Sequence, residues 1–294
     1  MAHQFGGDWT TDKLDRIRRY LMEYTRIFQS NERARRLFTT YVDAFAGTGY
    51  RTLVASPEHQ PELWSDMLEP DAEGLLKGSA RIALEVNPPF KRYLFIERDH
   101  GRAAQLRTLA LEFSDRADRV DVQIAETNAY LKSWCKYTDW RRNRAVVFLD
   151  PYGMEVDWSL IEAIALTQAI DLWLLFPLGV AVIRLLTKRE PPPAGWAQAL
   201  TRTFGTDEWQ KVFYSKTATS TLFGEEDRWE RNASLEAVGR FFVQRLSTVF
   251  AGVADNPLPL LNSKNMPLYL LCFAAGNPKG APTAIRIAQH ILRR

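Results

Sequence analysis

The chain is poor in the residues that bind metals or cross-link small folds. Among its 294 residues are two cysteines and four histidines. Cys135 and Cys272 lie far apart without ligand spacing, and the histidines are scattered. The pattern implies no metal site, and free thiols in a reducing cytoplasm. Neither sign of charge dominates: the formal net charge is +3, too small to imply nucleic-acid binding by itself. No run is apolar for the ~18 residues that a membrane helix needs. The most apolar stretch, 172–186, is broken by Pro177, Gly179 and Arg184. No apolar run follows the charged start, which argues against a secretory leader. There is no internal repeat or low-complexity tract. With 46% hydrophobic and 25% charged residues, the chain suits one large domain, or a domain carrying an insertion.

One stretch organises the rest. Tyr41-Val42-Asp43-Ala44-Phe45-Ala46-Gly47-Thr48-Gly49 reads as an apolar strand running into a turn with alternate glycines. Gly47 and Gly49 let the backbone approach a ligand and take angles closed to other residues. An ordinary strand-to-helix turn carries the same short signal. Two later apolar runs also end in acids. Residues 92–99 end in Glu97-Arg98-Asp99, and residues 145–153 in Asp150-Pro151-Tyr152-Gly153. A carboxylate at the second strand end, Glu97, suits both hydroxyls of a ribose. It lies much further from Asp43 than the roughly 20 residues of a compact unit. Residues 54–77 account for the gap as a surface insertion, with Pro57, Pro61, Pro70, six acids and one lysine.

The remaining segments alternate in period. Residues 11–29 read as an amphipathic helix through Leu14, Ile17, Leu21, Tyr24 and Phe28. Residues 11–36 hold eight Lys or Arg against four acids, either a solvated face or a contact for an anionic partner. Lys13 lies near the start of that helix, and sequence alone does not place it. Ser79 opens a helix through Val86, as its cap or as a ligand contact. A helix follows at 101–114 and a strand at 120–124. Glu126 and Asn128 then fall where an adenine would lie in a doubly wound sheet, although Asn128 equally suits a helix cap. Residues 158–168 read as a helix and 170–176 as a strand covered on both faces. A helical insertion is expected over 188–232, its aromatics forming a core, then a helix at 235–250, a strand at 268–275 and a helix at 282–292. From 237 onward there are seven Lys or Arg and one acid, Asp255. The expected division is a nucleotide-binding core at 1–187, a mostly helical insertion at 188–262, and a last strand and helix at 263–294.

Glycine turn, strand-end acid, then Asp-Pro-aromatic is the order found in Rossmann-like methyltransferases that use S-adenosylmethionine (SAM). Residues 41–49, 78–80 with 82–84, 95–99, 148–153, 171–179 with Arg184, and 266–273 resemble the three-Cys-motif partner protein (TcmP) family. The resemblance spans nearly the whole chain. It implies an α/β fold: a Rossmann-like class I methyltransferase sheet with helices on both faces and a helical insertion. It implies SAM as cofactor, held by Asp43, Phe45, Ala46, Gly47, Thr48 and Gly49, by Glu97 and Arg98, by Glu126 and Asn128, and by Asp150. Asp150 and Tyr152 become the catalytic pair, with Pro151, Tyr152, Gly153 and Arg184 toward the substrate. Glu126 stands where the resemblance suggests aspartate. The family's name refers to a partner carrying a three-cysteine motif, so this two-cysteine chain is expected to be its partner.

For an amine of a nucleobase or nucleotide, Asp150 can accept one N–H and the Pro151 carbonyl another, while Tyr152 stacks on the base. The bland reading is a proline-stiffened turn in which Asp150 caps the next helix. The 43–49 turn is also similar to that of cytosine-C5 methyltransferases, but those require a Pro-Cys nucleophile. Here Cys135 follows Trp134 and Cys272 follows Leu271. A nicotinamide oxidoreductase is disfavoured because Thr52 takes the third glycine position and no Tyr-x-x-x-Lys pair stands out. A non-catalytic SAM-binding partner subunit stays open.

Overall fold

Side-chain alternation along five strands assigns each residue to one of two helical layers. The structure is a computed structural model, and it describes residues 8–47, 50–51, 76–188, 190–221 and 224–293. Strands β1 (Phe38–Asp43), β2 (Arg92–Glu97), β3 (Val120–Ile124), β4 (Asn143–Leu149) and β5 (Ile170–Phe176) are parallel, in the order β5-β4-β1-β2-β3. Short strands β6 (Gly252–Val253) and β7 (Leu258–Leu261) precede β8 (Pro267–Ala275). β8 lies antiparallel beside β5, and β6 and β7 pair with its outer edge. The chain moves from β1 out to β3, then crosses back to β4 on the other side of β1. That reversal is the switch point of a doubly wound, Rossmann-like sheet, whose ligands bind beyond the carboxyl ends of the strands.

The helices are α1 (Asp8–Ser30), α2 (Ser79–Glu85), α3 (His100–Leu111), α4 (Thr127–Tyr137), α5 (Trp158–Leu166), α6 (Ala194–Phe204), α7 (Leu235–Ser247) and α8 (Ala281–Leu292). One layer, α1, α2, α3 and α8, packs on Tyr41, Tyr93, Phe95, Val146, Phe148, Trp173 and Phe273. The other, α4 to α7, packs on their strand neighbours Val42, Leu94, Ile96, Val147, Leu149, Leu174 and Cys272. Neighbouring strand residues face opposite layers because the strand period is two. Both thiols are free and buried. Burial pushes Cys135 up to about 12 and Cys272 higher still, so neither is a ready nucleophile.

The helix expected at 11–29 runs over 8–30. The Tyr20 hydroxyl anchors it by donating to Asp171 Oδ2 at 2.7 Å. Arg16 adds a second anchor, its guanidinium donating to the main-chain carbonyls of Ile291 and Arg293. Residues 188–262 depart from the mostly helical expectation. After α6 and a helical turn at Trp209–Phe213, strands Tyr214–Thr221 and Gly224–Arg231 pair as a hairpin. Thr217, Thr219 and Thr221 alternate in a run with no helical apolar stripe, which favours a strand. The same segment then supplies α7, β6 and β7 to the central sheet. Phe204, Trp209, Phe213 and Tyr214 are buried, as expected of a core, but Trp196 and Trp229 are exposed and do not join it; Phe223 lies outside the described residues. Most of the 54–77 insertion also lies outside them; its described end, Leu76–Lys77, pairs as a short ribbon with Tyr50–Arg51, which precede it. Among the described residues no helix is long and apolar enough to cross a membrane, and no group of His, Cys, Asp and Glu could hold a metal ion.

Candidate functional site

The carboxyl ends of β1, β2 and β4 bring three acids to one edge. Asp43 lies level with Phe95 on β2 and Phe148 on β4. Glu97 and Asp150 therefore each extend two residues past it, on either side. The turn after β1 bridges those neighbours: the Ala44 amide donates to Phe148 O and the Ala46 amide to Ile96 O, each at 3.1 Å. Thr127, at the start of α4, donates from its hydroxyl to Ala44 O at 2.7 Å and fixes the turn from a third side.

Asp43 is fully buried, and its Oδ1 has no hydrogen bond of good geometry among the described residues. Burial pushes its carboxyl up to about 7. The Ser79 hydroxyl opposes that shift, the Asp150 charge adds to it, and the Phe45 amide and the Lys13 charge oppose it. Ser79 thus faces Asp43 rather than capping α2, whose cap position is Gly78 with no side-chain bond. Phe45 is half-buried and Ala46 buried. Gly47 has φ of +60°, with nothing within 4 Å of where a Cβ would sit. Thr48 and Gly49 lie outside the described residues.

The fourth strand end resolves the alternatives for Asp150. Its Oδ2 accepts from Lys13 Nζ at 2.5 Å, so the acid is paired across the fold. The helix that follows has Asp157 at its cap position, so Asp150 does not cap it. Lys13 is 1% exposed, and its ammonium lies 5.8 Å from the Phe148 ring centroid. Position 13 continues the apolar stripe of Ile17, Tyr20, Leu21 and Tyr24; a lysine on a buried face was the signal to pursue. Pro151 is buried and Gly153 has φ of +75°, whereas Tyr152 is 51% exposed and free to meet a ligand ring.

Glu97 is buried, its Oε1 accepting from the Asp99 amide at 2.8 Å with Arg102 Nε at 3.5 Å. Oε2 has no hydrogen bond among the described residues and is the oxygen left for a ligand. Arg98 is exposed. Its charge reaches Glu155, a carboxyl held above its usual range chiefly by burial. Glu155 also accepts from the Tyr152 amide at 3.1 Å, and so links the 150–153 loop toward the β2 end.

Glu126, not Asn128, caps α4: its two oxygens accept from the Asn128 amide at 2.9 Å and the Ala129 amide at 2.7 Å. Asn128 braces the neighbouring loop. Its Nδ2 donates to Glu155 O at 2.9 Å and its Oδ1 accepts from the Asp157 amide at 3.0 Å. Arg184 sits half-buried on the helical turn after β5, on the same edge of the sheet.

Gly47→Val should lose the binding of any ligand seated on this turn while remaining folded. A β-branched residue at positive φ is strained by about 1–2 kcal/mol, which remodels the turn even where space is open. Ligand calorimetry and a melting curve on the same sample check it; full affinity in a folded variant would refute it.

No protein-family model and no curated protein matches the chain. Solved structures resemble it at low identity. Protein LPL1258 from Legionella pneumophila aligns at TM-score 0.48 and 12% identity, over 96% of this chain and 90% of that one. Spermidine synthase from Thermotoga maritima aligns at 0.34 and 11%, over 82% of this chain and 54% of that one. A candidate O-methyltransferase from Klebsiella pneumoniae aligns at 0.33 and 13%, over 79% and 84%.

Proposed function

We propose that the chain is a SAM-dependent methyltransferase acting on an amine of a nucleobase or nucleotide, in the family its sequence resembles. The observation that carries this reading is the adjacency of β1 and β4, which sets the Asp43–Gly47 turn beside the Asp150-Pro151-Tyr152-Gly153 loop. The residues fit the cofactor. Asp43 holds an orphaned buried carboxylate oxygen that a cationic amine would satisfy. Gly47 leaves open space above the turn, and Glu97 keeps one oxygen for ribose hydroxyls.

Bound SAM supplies a methyl group on a sulfonium, open to in-line displacement. The chain's task is to align the acceptor and exclude water. Lys13 holds Asp150 Oδ2, leaving Oδ1 to accept an N–H from the acceptor amine. That contact turns the nitrogen lone pair toward the cofactor turn. Tyr152 offers its exposed ring for stacking on a base.

Two measurements test the reading. Transfer from labelled SAM to fractionated RNA, DNA, protein and small molecules, with and without a three-cysteine-motif partner, should label a nucleic-acid or nucleotide fraction. Label confined to protein would sink the nucleobase assignment. In calorimetry, Glu97→Ala should weaken SAM binding by about tenfold or more, since a hydrogen bond to a charged group contributes ~1.5–3 kcal/mol. Equal affinity would remove Glu97 from the ribose role, and no binding by the unmodified chain would remove the cofactor.

A further inference from the structure

The two basic segments of the sequence meet in the fold. α1 packs beside α8, and a groove of about 530 Å³ runs between their outer faces, lined by Arg19, Met22, Glu23, Arg286, His290 and Arg293 among others. Arg19, Arg286, His290 and Arg293 are exposed, and none has an acid partner among the described residues. Glu23, the acid of the groove, is already paired with Arg26 at 2.8 Å. Many other surface arginines lie against a carboxylate, as Arg141 does with Asp139 and Arg202 with Asp157. Three unpaired guanidinium groups around one furrow form a recognition surface for an anion with several charges in a row.

The groove lies on the outer face of the helix whose inner face carries Lys13 to the site. Arg19 is six residues beyond Lys13 on the same helix, about 9 Å at 1.5 Å per residue. Arg16, one turn from Lys13, donates to the Arg293 carbonyl at 2.9 Å, so the end of α8 lies beside the part of α1 that reaches Asp150. We propose that this groove binds the phosphate backbone of a nucleic-acid substrate whose target base is presented at the 150–153 loop. The inference rests on the methyltransferase reading and selects among its acceptors: a polymer is bound along α1 and α8, whereas a free nucleoside has nothing to place there. Spaced guanidinium groups suit successive phosphates, which they position without reading sequence.

The test is equilibrium binding of a labelled single-stranded RNA of mixed sequence across a salt series. The proteins are the unmodified chain, an Arg19→Gln/Arg286→Gln/Arg293→Gln variant, and an Arg141→Gln/Arg142→Gln/Arg240→Gln control that removes equal charge elsewhere. The groove variant should bind about tenfold or more weakly. Its log Kd against log salt should be shallower by about 2, from three lost contacts at ~0.7 each. The control should stay near the unmodified chain. Equal loss in the control, no difference in the groove variant, or tighter binding of a polyglutamate peptide than of RNA each overturns the groove. SAM calorimetry on the same variant should give unmodified affinity, since none of the three residues touches the site. Failure of the unmodified chain to bind SAM overturns the methyltransferase reading alone, whatever the RNA result.

Discussion

Asp150→Ala will destabilise the protein more than Lys13→Met, although each removes one half of the same ion pair. The Lys13 side chain is 2% exposed and that of Asp150 is 27% exposed. Without Asp150, a buried ammonium beside the Phe148 ring loses the carboxylate 2.5 Å away, with the Asp43 charge still nearby. Removing one partner of a buried pair costs up to roughly 3–5 kcal/mol. Without Lys13, water can reach the Asp150 carboxylate, and the cost falls below that range. Lys13→Met/Asp150→Asn removes both charges at nearly constant volume and should recover most of the loss. Turnover should behave differently. Asp150→Asn keeps the shape but offers the acceptor an ambiguous amide, and should lose about 10²-fold or more through misalignment. The double variant should be stable and inactive. Urea unfolding of the unmodified chain and the four variants, with SAM affinity and turnover on the same preparations, separates structure from chemistry. Additive stability losses would show that the pair is uncoupled, and full turnover in Asp150→Asn would end its role in positioning the acceptor.

Asp43→Asn should change the pH dependence of stability. In the folded protein, burial first of all holds the Asp43 carboxyl at about 7, against an ordinary 3.8. Below both values the group is protonated in either state and contributes its full share. As pH rises, the unfolded chain ionises first while the folded one keeps its proton, so folded stability drains away. The loss is complete once pH exceeds the folded value. The window is therefore about pH 4 to pH 7, and the difference of about three units corresponds to roughly 4 kcal/mol. Asparagine cannot ionise, so the variant should gain on the unmodified chain by an amount of that order across the window. Comparing the two proteins removes the other carboxyls from the result, provided the substitution leaves Lys13 and Asp150 in place. Parallel stability profiles would show that Asp43 titrates normally. A bound cation above the turn should pull the value down, so SAM affinity should rise with pH through neutrality in the unmodified chain and not in the variant.

The near-continuous apolar runs at β1, β2, β4 and β5 made the sheet legible, because each is covered on both faces and bounded by turns. Their acids were legible as strand ends. What sequence could not supply was pairing at a distance. Lys13 meets Asp150 across 137 positions, and no local pattern links them. Asn128 reads from sequence as an adenine contact or a helix cap, but the cap is Glu126, whose longer arm reaches the Asn128 and Ala129 amides, while Asn128 braces the 155–157 loop. Thr127, between them, carries no pattern at all; its hydroxyl matters only because β1 ends beneath it. The hairpin at 214–231 went unread because the surrounding aromatics dominated the pattern, while the alternating threonines carried the strand period.

Arg16 has a consequence for the order of synthesis. Its partner, the Ile291 carbonyl, is 275 positions later in the chain. At roughly 5–20 residues per second, α1 emerges some 15–55 s before the helix that clamps it. During that interval the stripe of Ile17, Tyr20, Leu21 and Tyr24 lacks α8, and Lys13 waits for Asp150. The acceptor loop is made midway, yet the helix that holds its acid is locked down among the last events. A ribosome stalled before α8 would therefore present a sheet with its glycine turn formed and its lysine not yet fastened in place. On the finished protein, a break at the α1–α8 clamp would loosen the helix that carries Lys13 to Asp150.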